Sequence, residues 1–248
     1  MEKAMIRKNH TLPIRAILFD KDDTLIDLQA FWRKPVEKMA LQIVHEVGVR
    51  DKEAVIRAII YAAGFQGDLL MEQSPIVSGT NADVVDAWID VLSGGHIYIR
   101  HDVRGRWIRD LEAFCLREGE VVATGNFEIL FPILKEKGIH LGIATSDSYE
   151  PTFYCLKKLG IEKYFDCILT ADTVMRPKPC PDMAEQFSVQ IGIPCDAIAM
   201  VGDSLNDMRF AKNSHMIGIY YQRQITSPIP KEADSTIHHL EELIELVM

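Results

Sequence analysis

Ile17-Leu18-Phe19-Asp20-Lys21-Asp22-Asp23-Thr24-Leu25 is the stretch on which the fold turns. The apolar run from Ile14 to Phe19 is rich in branched residues and stops abruptly at a cluster of acids, as a buried parallel strand does where it reaches a site. The same shape recurs twice. Ile139 to Ala144 precedes Thr145, Ser146 and Asp147, and Ala197 to Val201 precedes Gly202, Asp203 and Ser204. Helical spacing runs over Phe127–Lys137, Glu150–Leu159 and Asp182–Ile191, while Cys167–Thr170 and Met216–Ile219 read as further short strands. Strands that alternate with helices imply right-handed crossovers. The expected class is α/β, a doubly wound parallel sheet covered on both faces.

Residues 28–125 break the alternation. Trp32, Val36, Met39, Ile43, Val44 and Val47 recur at helical spacing, as do Ala54, Val55, Ala58, Ile59 and Ala62, and then Trp107, Leu111, Phe114 and Cys115. No buried strand is evident there, so an inserted all-α domain is expected, with residues 1–27 and 126–248 forming the core. Gly48 fits a helix stop and Asp51 the cap of the next helix. Gly64–Asn81 and Ser93–Arg106 read as irregular loops. Trp32 and Trp107 fit core positions of these helices, and His238 and His239 fall in a last helical stretch.

A chain of 248 residues with 48% hydrophobic content can bury a substantial core. Its formal charge of −9 opposes the counterion release that drives nucleic-acid binding, so no nucleic-acid partner is expected. Lys3, Arg7 and Lys8 precede an apolar run too short for a signal-peptide core or a membrane span. The five cysteines (115, 155, 167, 180 and 195) form no Cys-x-x-Cys pair, and reduced, mostly buried thiols fit a cytoplasmic protein without a membrane partner.

In an open parallel sheet, ligands bind beyond the carboxyl ends of the strands. Asp20, Asp22 and Thr24 would meet there with Thr145, Ser146, Asp203, Asp207 and the loop residue Lys178. Two like charges about 4 Å apart cost roughly 4 kcal/mol at an effective dielectric near 20. A hard divalent cation relieves that conflict, and Mg²⁺ is expected because it takes oxygen ligands and bridges carboxylates to phosphate.

These motifs resemble the haloacid dehalogenase superfamily. Asp20-Lys21-Asp22-Asp23-Thr24 is similar to its first motif, Asp-x-Asp-x-Thr, and Ile143-Ala144-Thr145 to its second. Lys178 with Pro179 resembles the third, and Gly202-Asp203-Ser204-Leu205-Asn206-Asp207 the fourth. Asp23 stands where Gly is frequent. The resemblance implies a Rossmann-like core, with 28–125 as a helical cap that closes over the site and chooses the substrate.

It further implies that Asp20 is the nucleophile and passes through an aspartyl-phosphate. Asp22 is implied as acid and then base, and Thr145, Ser146 and Lys178 as holders of the phosphoryl oxygens. Mg²⁺ is implied on Asp20, Asp203 and the carbonyl of Asp22, with Asp207 and Thr24 supporting. An Asp two residues after the nucleophile is absent from the dehalogenating members, which favours phosphate esters.

The expected function is a Mg²⁺-dependent phosphatase acting on a small soluble phosphorylated metabolite, similar to phosphoglycolate phosphatases. The alternatives are a sugar phosphomutase of the β-phosphoglucomutase type, a nucleotide monophosphatase, or a non-catalytic binder of a phosphorylated ligand. Taken singly, the motifs have plainer readings: Thr145 ends a strand, Lys178 is a solvated charge and Ser204 caps a helix. Their ordered conjunction carries the inference. His96, His101, Arg100, Arg104, Arg106 and Arg109 form a basic cluster that reads as solvated surface and stays outside the site.

Overall fold

Four buried residues, Ala16–Phe19, form strand β1. Successive side chains of a strand point to opposite faces. Ile17 and Phe19 therefore enter one hydrophobic cluster, while Ala16 and Leu18 enter another. The computed structural model describes residues 13–71, 73–100, 102–223 and 228–247, so Lys3, Arg7, Lys8 and His101 lie outside the described residues. The chain divides into two compact units, one running up to Asp27 and resuming at Ala123, the other spanning Leu28–Val122. Ala123 bridges to Ile26, and the Thr124 N–H donates to the Leu25 carbonyl (3.1 Å), so the return to the first unit lies three residues before the expected boundary at 126.

The second unit is built of helices α1 (Leu28–Val47), α2 (Lys52–Ala63), α3 (Pro75–Ser78), α4 (Asn81–Gly94) and α5 (Val103–Glu118). Gly48 has φ +66°, and the Asp51 side chain accepts from the Ala54 N–H (3.0 Å), which closes α1 and opens α2 as expected. Two expected loops are partly ordered. Gly64–Asn81 contains an antiparallel hairpin of β2 (Phe65–Gln66) and β3 (Leu69–Leu70), turned at Gly67 with φ +62°, and then α3. Ser93–Arg106 shrinks at both ends, because α4 runs to Gly94 and α5 begins at Val103, burying Val103, Trp107, Leu111 and Cys115 at one-turn spacing. Trp107 is a core residue whose indole donates to Glu46 (2.9 Å). Trp32 is only half-buried, and its neighbour Phe31 takes the buried position. The arginine cluster is engaged within the same unit, with Arg100 on Asp102 (2.9 Å), Arg104 on Asp86 (2.6 Å) and Arg106 on Glu46 (2.8 Å).

The first unit continues through α6 (Phe127–Glu136), β4 (His140–Ala144), α7 (Tyr149–Leu159), β5 (Cys167–Leu169), α8 (Asp182–Ile191), β6 (Ile198–Gly202), α9 (Leu205–Asn213), β7 (Ile217–Tyr221), β8 (Ser235–Ile237) and α10 (Leu243–Leu246). The sheet is parallel throughout, in the order β5-β4-β1-β6-β7-β8. Phe127, Phe131 and Leu134 of α6, Leu156 of α7 and Leu243 of α10 cover the Ile17 face, while Met183 and Phe187 of α8 and Phe210 of α9 cover the Leu18 face. The expected doubly wound α/β core is present.

Strand β8 escaped the sequence reading. Three residues carry too little periodicity, and β7 supplies the pairing. His238 and His239 accordingly follow a strand and do not sit in a helix; their N–H groups both donate to Glu242 Oε1 (2.8 Å) at the start of a short 3₁₀ turn. Cys155, Cys167, Cys180 and Cys195 are free thiols, and of the five cysteines Cys115 and Cys155 are buried while the other three are partly exposed. Among the described residues no helix is long and apolar enough to cross a membrane.

Phe131 is fully buried, and its ring meets those of Phe127, Phe165, Tyr164 and Phe19 at 5.0, 5.3, 5.6 and 5.8 Å. Phe131→Ala is expected to cost about 3–5 kcal/mol, by lost transfer energy and an unfilled cavity, and urea unfolding of the purified variant measures it.

Candidate active site

Strand order reverses at β1. From β1 the chain proceeds outward through β4 and β5, then returns to β6 on the other side of β1 and proceeds through β7 and β8. At such a switch point the loops beyond adjacent strands separate and leave a crevice. Asp20 sits at the mouth of this crevice, and its N–H donates to the Val201 carbonyl of β6 (2.9 Å). The loop beyond it is a tight turn in which the N–H groups of Leu25 and Ile26 both donate to the Lys21 carbonyl (2.8 and 3.0 Å). Asp23 takes φ +53° in this turn, a left-handed conformation that Gly adopts most readily and Asp tolerates. That is the physical content of the expectation that Gly is frequent there.

The centre of the site is an ion triad. Lys178 Nζ lies 2.6 Å from Asp20 Oδ1 and 2.6 Å from Asp207 Oδ1, and all three groups are buried. Asp207 is held from behind by Ser204, whose N–H donates to Asp207 Oδ2 (3.1 Å) while the Ser204 hydroxyl accepts from the Asp207 N–H (3.2 Å), a capping box at the start of α9. Ser204 is thus a helix cap as its plainer reading proposed, and that cap also aims Asp207 at Lys178. Gly202 is required by the same packing, because a Cβ there would collide with the Asp207 side chain.

Asp20, Asp203 and Asp207 each present a carboxylate oxygen, and these oxygens lie within 4.8 Å of one another. Thr24 is buried and its hydroxyl donates to Asp203 Oδ1 (3.3 Å). Three carboxylates with one lysine leave negative charge in a buried setting, and an all-oxygen donor set suits a hard divalent cation. The residues therefore fit a metal ion. The side chain of Asp22 is outside this group of oxygens and turns to Lys21 Nζ (2.6 Å).

Thr145 is buried at the end of β4, with its N–H on the Leu169 carbonyl (3.1 Å) and its hydroxyl accepting from the Asp147 N–H (3.2 Å). Ser146, next in the chain, is exposed. Two further charged residues, which the sequence reading left without a role, complete the neighbourhood. Lys21 is buried between Asp22 and Asp147, with its Nζ 3.0 Å from Asp147 Oδ2. A lysine after the strand gives no periodic or spacing signal of burial, and Asp147 acquires its partner only through the pairing of β1 with β4.

Burial raises the Asp20 carboxyl to about 7, with Lys178 pulling the other way and Asp207 and Asp22 adding to the rise. Asp203 is raised well above the ordinary carboxyl value by burial and then by Asp20 and Asp207, and Asp22 is raised by burial against the pull of Lys21. Burial alone would lower both lysines, yet the acids beside them hold Lys21 and Lys178 charged. Burial also pushes the Cys155 thiol up to about 12.

Residues 14–215 match the sequence profile of the haloacid dehalogenase-like hydrolases. The chain belongs to this family. Like its relatives it is an enzyme, a phosphoric monoester hydrolase. The phosphoglycolate phosphatase of Escherichia coli O157:H7 is 31% identical over 210 residues, covering 80% of this chain and 77% of that protein. Among solved structures, a predicted phosphoglycolate phosphatase from Haemophilus somnus 129PT superposes with a TM-score of 0.71 at 16% identity, covering 96% of this chain and 100% of that one. CbbY from Rhodobacter sphaeroides, solved in complex with phosphate, gives 0.59 at 22% identity, covering 93% and 96%. At these identities the two structures speak for the haloacid dehalogenase fold, which this chain shares.

The raised carboxyls make folding of the metal-free protein proton-linked. A group whose pKa is higher folded than unfolded stabilises while protonated, so this contribution is complete below the ordinary value of 3.8 and is lost as pH rises through about 7, the folded value for Asp20. Scanning calorimetry in chelator is expected to show stability falling across that window, and Asp20→Asn is expected to flatten the slope.

Proposed function

We propose that this protein is a Mg²⁺-dependent phosphatase that hydrolyses a small soluble phosphate monoester through an aspartyl-phosphate on Asp20. The observation that carries the proposal is the placement of Asp20 at the switch point, its one carboxylate held by Lys178 and grouped with the oxygens of Asp203 and Asp207. Lys178 fixes the carboxylate in one orientation, which is what a nucleophile for in-line displacement needs.

In the first step an Asp20 oxygen forms a bond to phosphorus while the bond from phosphorus to the ester oxygen breaks, and Asp22 gives its proton to the departing alcohol. In the second step Asp22 takes a proton from water, the water oxygen bonds to phosphorus, and the bond to Asp20 breaks. Aspartate and inorganic phosphate result, with Asp22 protonated again. Thr145, the Ser146 N–H and Lys178 are assigned to the phosphoryl oxygens, where donors fixed before reaction stabilise developing charge. Asp20, Asp203 and the Asp22 carbonyl would hold Mg²⁺, with Asp207 and Thr24 supporting, and the ion supplies charge neutralisation for the acids and the phosphate.

The substrate is assigned by kinship to the phosphoglycolate phosphatases as a short phosphorylated metabolite, with the helical unit as the cap that selects it. Free thiols and the absence of a membrane-spanning helix among the described residues support a cytoplasmic setting.

Asp20→Asn is expected to abolish hydrolysis, because the amide is isosteric but a poor nucleophile. A phosphate-release assay on a panel of monoesters checks this, and a variant within tenfold of the parent contradicts the assignment. In the same assay a chelator is expected to stop turnover and added Mg²⁺ to restore it. Time-resolved product analysis separates the mutase alternative, which would yield an isomerised ester with little free phosphate.

A further inference from the structure

Lys21 is among the largest fully buried side chains, and the chemistry above leaves it without a task. An ammonium withdrawn from water needs anionic partners. Among the described residues these include Asp22 Oδ1 at 2.6 Å and Asp147 Oδ2 at 3.0 Å, both belonging to side chains that stay partly exposed. Asp147 is itself well anchored: its N–H donates to the Thr145 hydroxyl (3.2 Å), its Oδ1 accepts from the Ser148 N–H (2.8 Å), and its carbonyl accepts from the Ala171 N–H (3.0 Å). Asp22, by contrast, lies in the turn beyond β1, and the hydrogen bond to its carboxylate comes from Lys21 (2.6 Å). A cation between an acid that is also held by the main chain and one that is not fixes the second by the first.

We propose that Lys21 is a positioning residue that holds the Asp22 carboxyl in place for proton transfer, with Asp147 on the loop beyond β4 as its anchor. The proposal rests on the reading of Asp22 as the proton donor to the leaving group. It has a specific consequence. Two carboxylates drawn within 3.0 Å of one ammonium repel each other once that ammonium is removed, so without Lys21 the Asp22 carboxyl, which lacks the main-chain bond that Asp147 has from Ser148, is displaced. Proton donation matters for an alkyl phosphate, whose departing alkoxide is a strong base, and little for p-nitrophenyl phosphate, whose phenolate departs unprotonated. A purely structural defect would slow both substrates alike.

The experiment compares kcat/KM, which reports transfer to Asp20, for glycerol 2-phosphate and p-nitrophenyl phosphate in the Mg²⁺-loaded enzyme. Lys21→Met is expected to lower the alkyl value on the order of 100-fold and the aryl value less than about fivefold, since small misplacements of a reacting group cost about that much. Adding Asp147→Asn to Lys21→Met removes the repelling charge and is expected to recover part of the alkyl activity. Asp147→Asn alone retains the buried lysine with its Asp22 partner, so it tests the proposal separately from the folding of Lys21→Met; it is expected to shift the alkyl-to-aryl ratio in the same direction by about threefold. Equal losses on both esters in Lys21→Met, or an unchanged ratio in Asp147→Asn, overturn the proposal while leaving the phosphatase reading intact. A parent enzyme that hydrolyses neither these esters nor any other monoester overturns the phosphatase reading, and this inference with it.

Discussion

The structure of the site depends on one buried cation. Lys178 lies 2.6 Å from both Asp20 and Asp207, and without it three acids would face one another beyond the strand ends with no paired cation among the described residues. An isolated buried charge is costly and a paired one is retained only when its remaining bonds are made. Those bonds are made by the chain around it. The capping box of α9 orients Asp207, and the link from Asp20 to Val201 registers β1 against β6. The loop carrying Lys178 is thereby tied to the end of β1 and the start of α9.

The balance of charge explains why burial raises Asp20 and Asp203 even with a lysine in contact. One ammonium cannot neutralise three carboxylates, and the desolvation of the remaining charge favours protonation. A divalent cation would settle the deficit in the same volume. The second lysine, Lys21, resolves a similar conflict between Asp22 and Asp147, so the two acids flanking the proposed reaction are each held by a separate cation on a separate loop. Separation of the two pairs lets Asp20 and Asp22 be oriented independently, as the proposed reaction requires.

Much of the fold and of the site was legible in the sequence. β1, β4 and β6 announce themselves as apolar runs that stop at polar residues, because a strand buried on both faces must be apolar and must end where the ligand begins. Helix caps at Asp51 and Ser204 were legible because capping is local chemistry. β8 and the hairpin of β2 and β3 were not, since two- and three-residue strands are defined by their partners and carry no period of their own. Trp32 fitted the periodicity of α1 as well as Phe31 does, and only packing chose between adjacent residues.

The sequence by itself determined the doubly wound class, the helical insertion and the identity of the acids, because hydrophobic period and motif spacing are properties of neighbouring residues. Tertiary structure alone decided how those acids divide. It gave Asp207 to Lys178 and to the group of oxygens around Asp20, turned the Asp22 side chain away to Lys21, and made Asp147 a partner. The physical reason is that an ion pair depends on distance across strands and on the loss of water, and neither is encoded in the order of residues along a single strand.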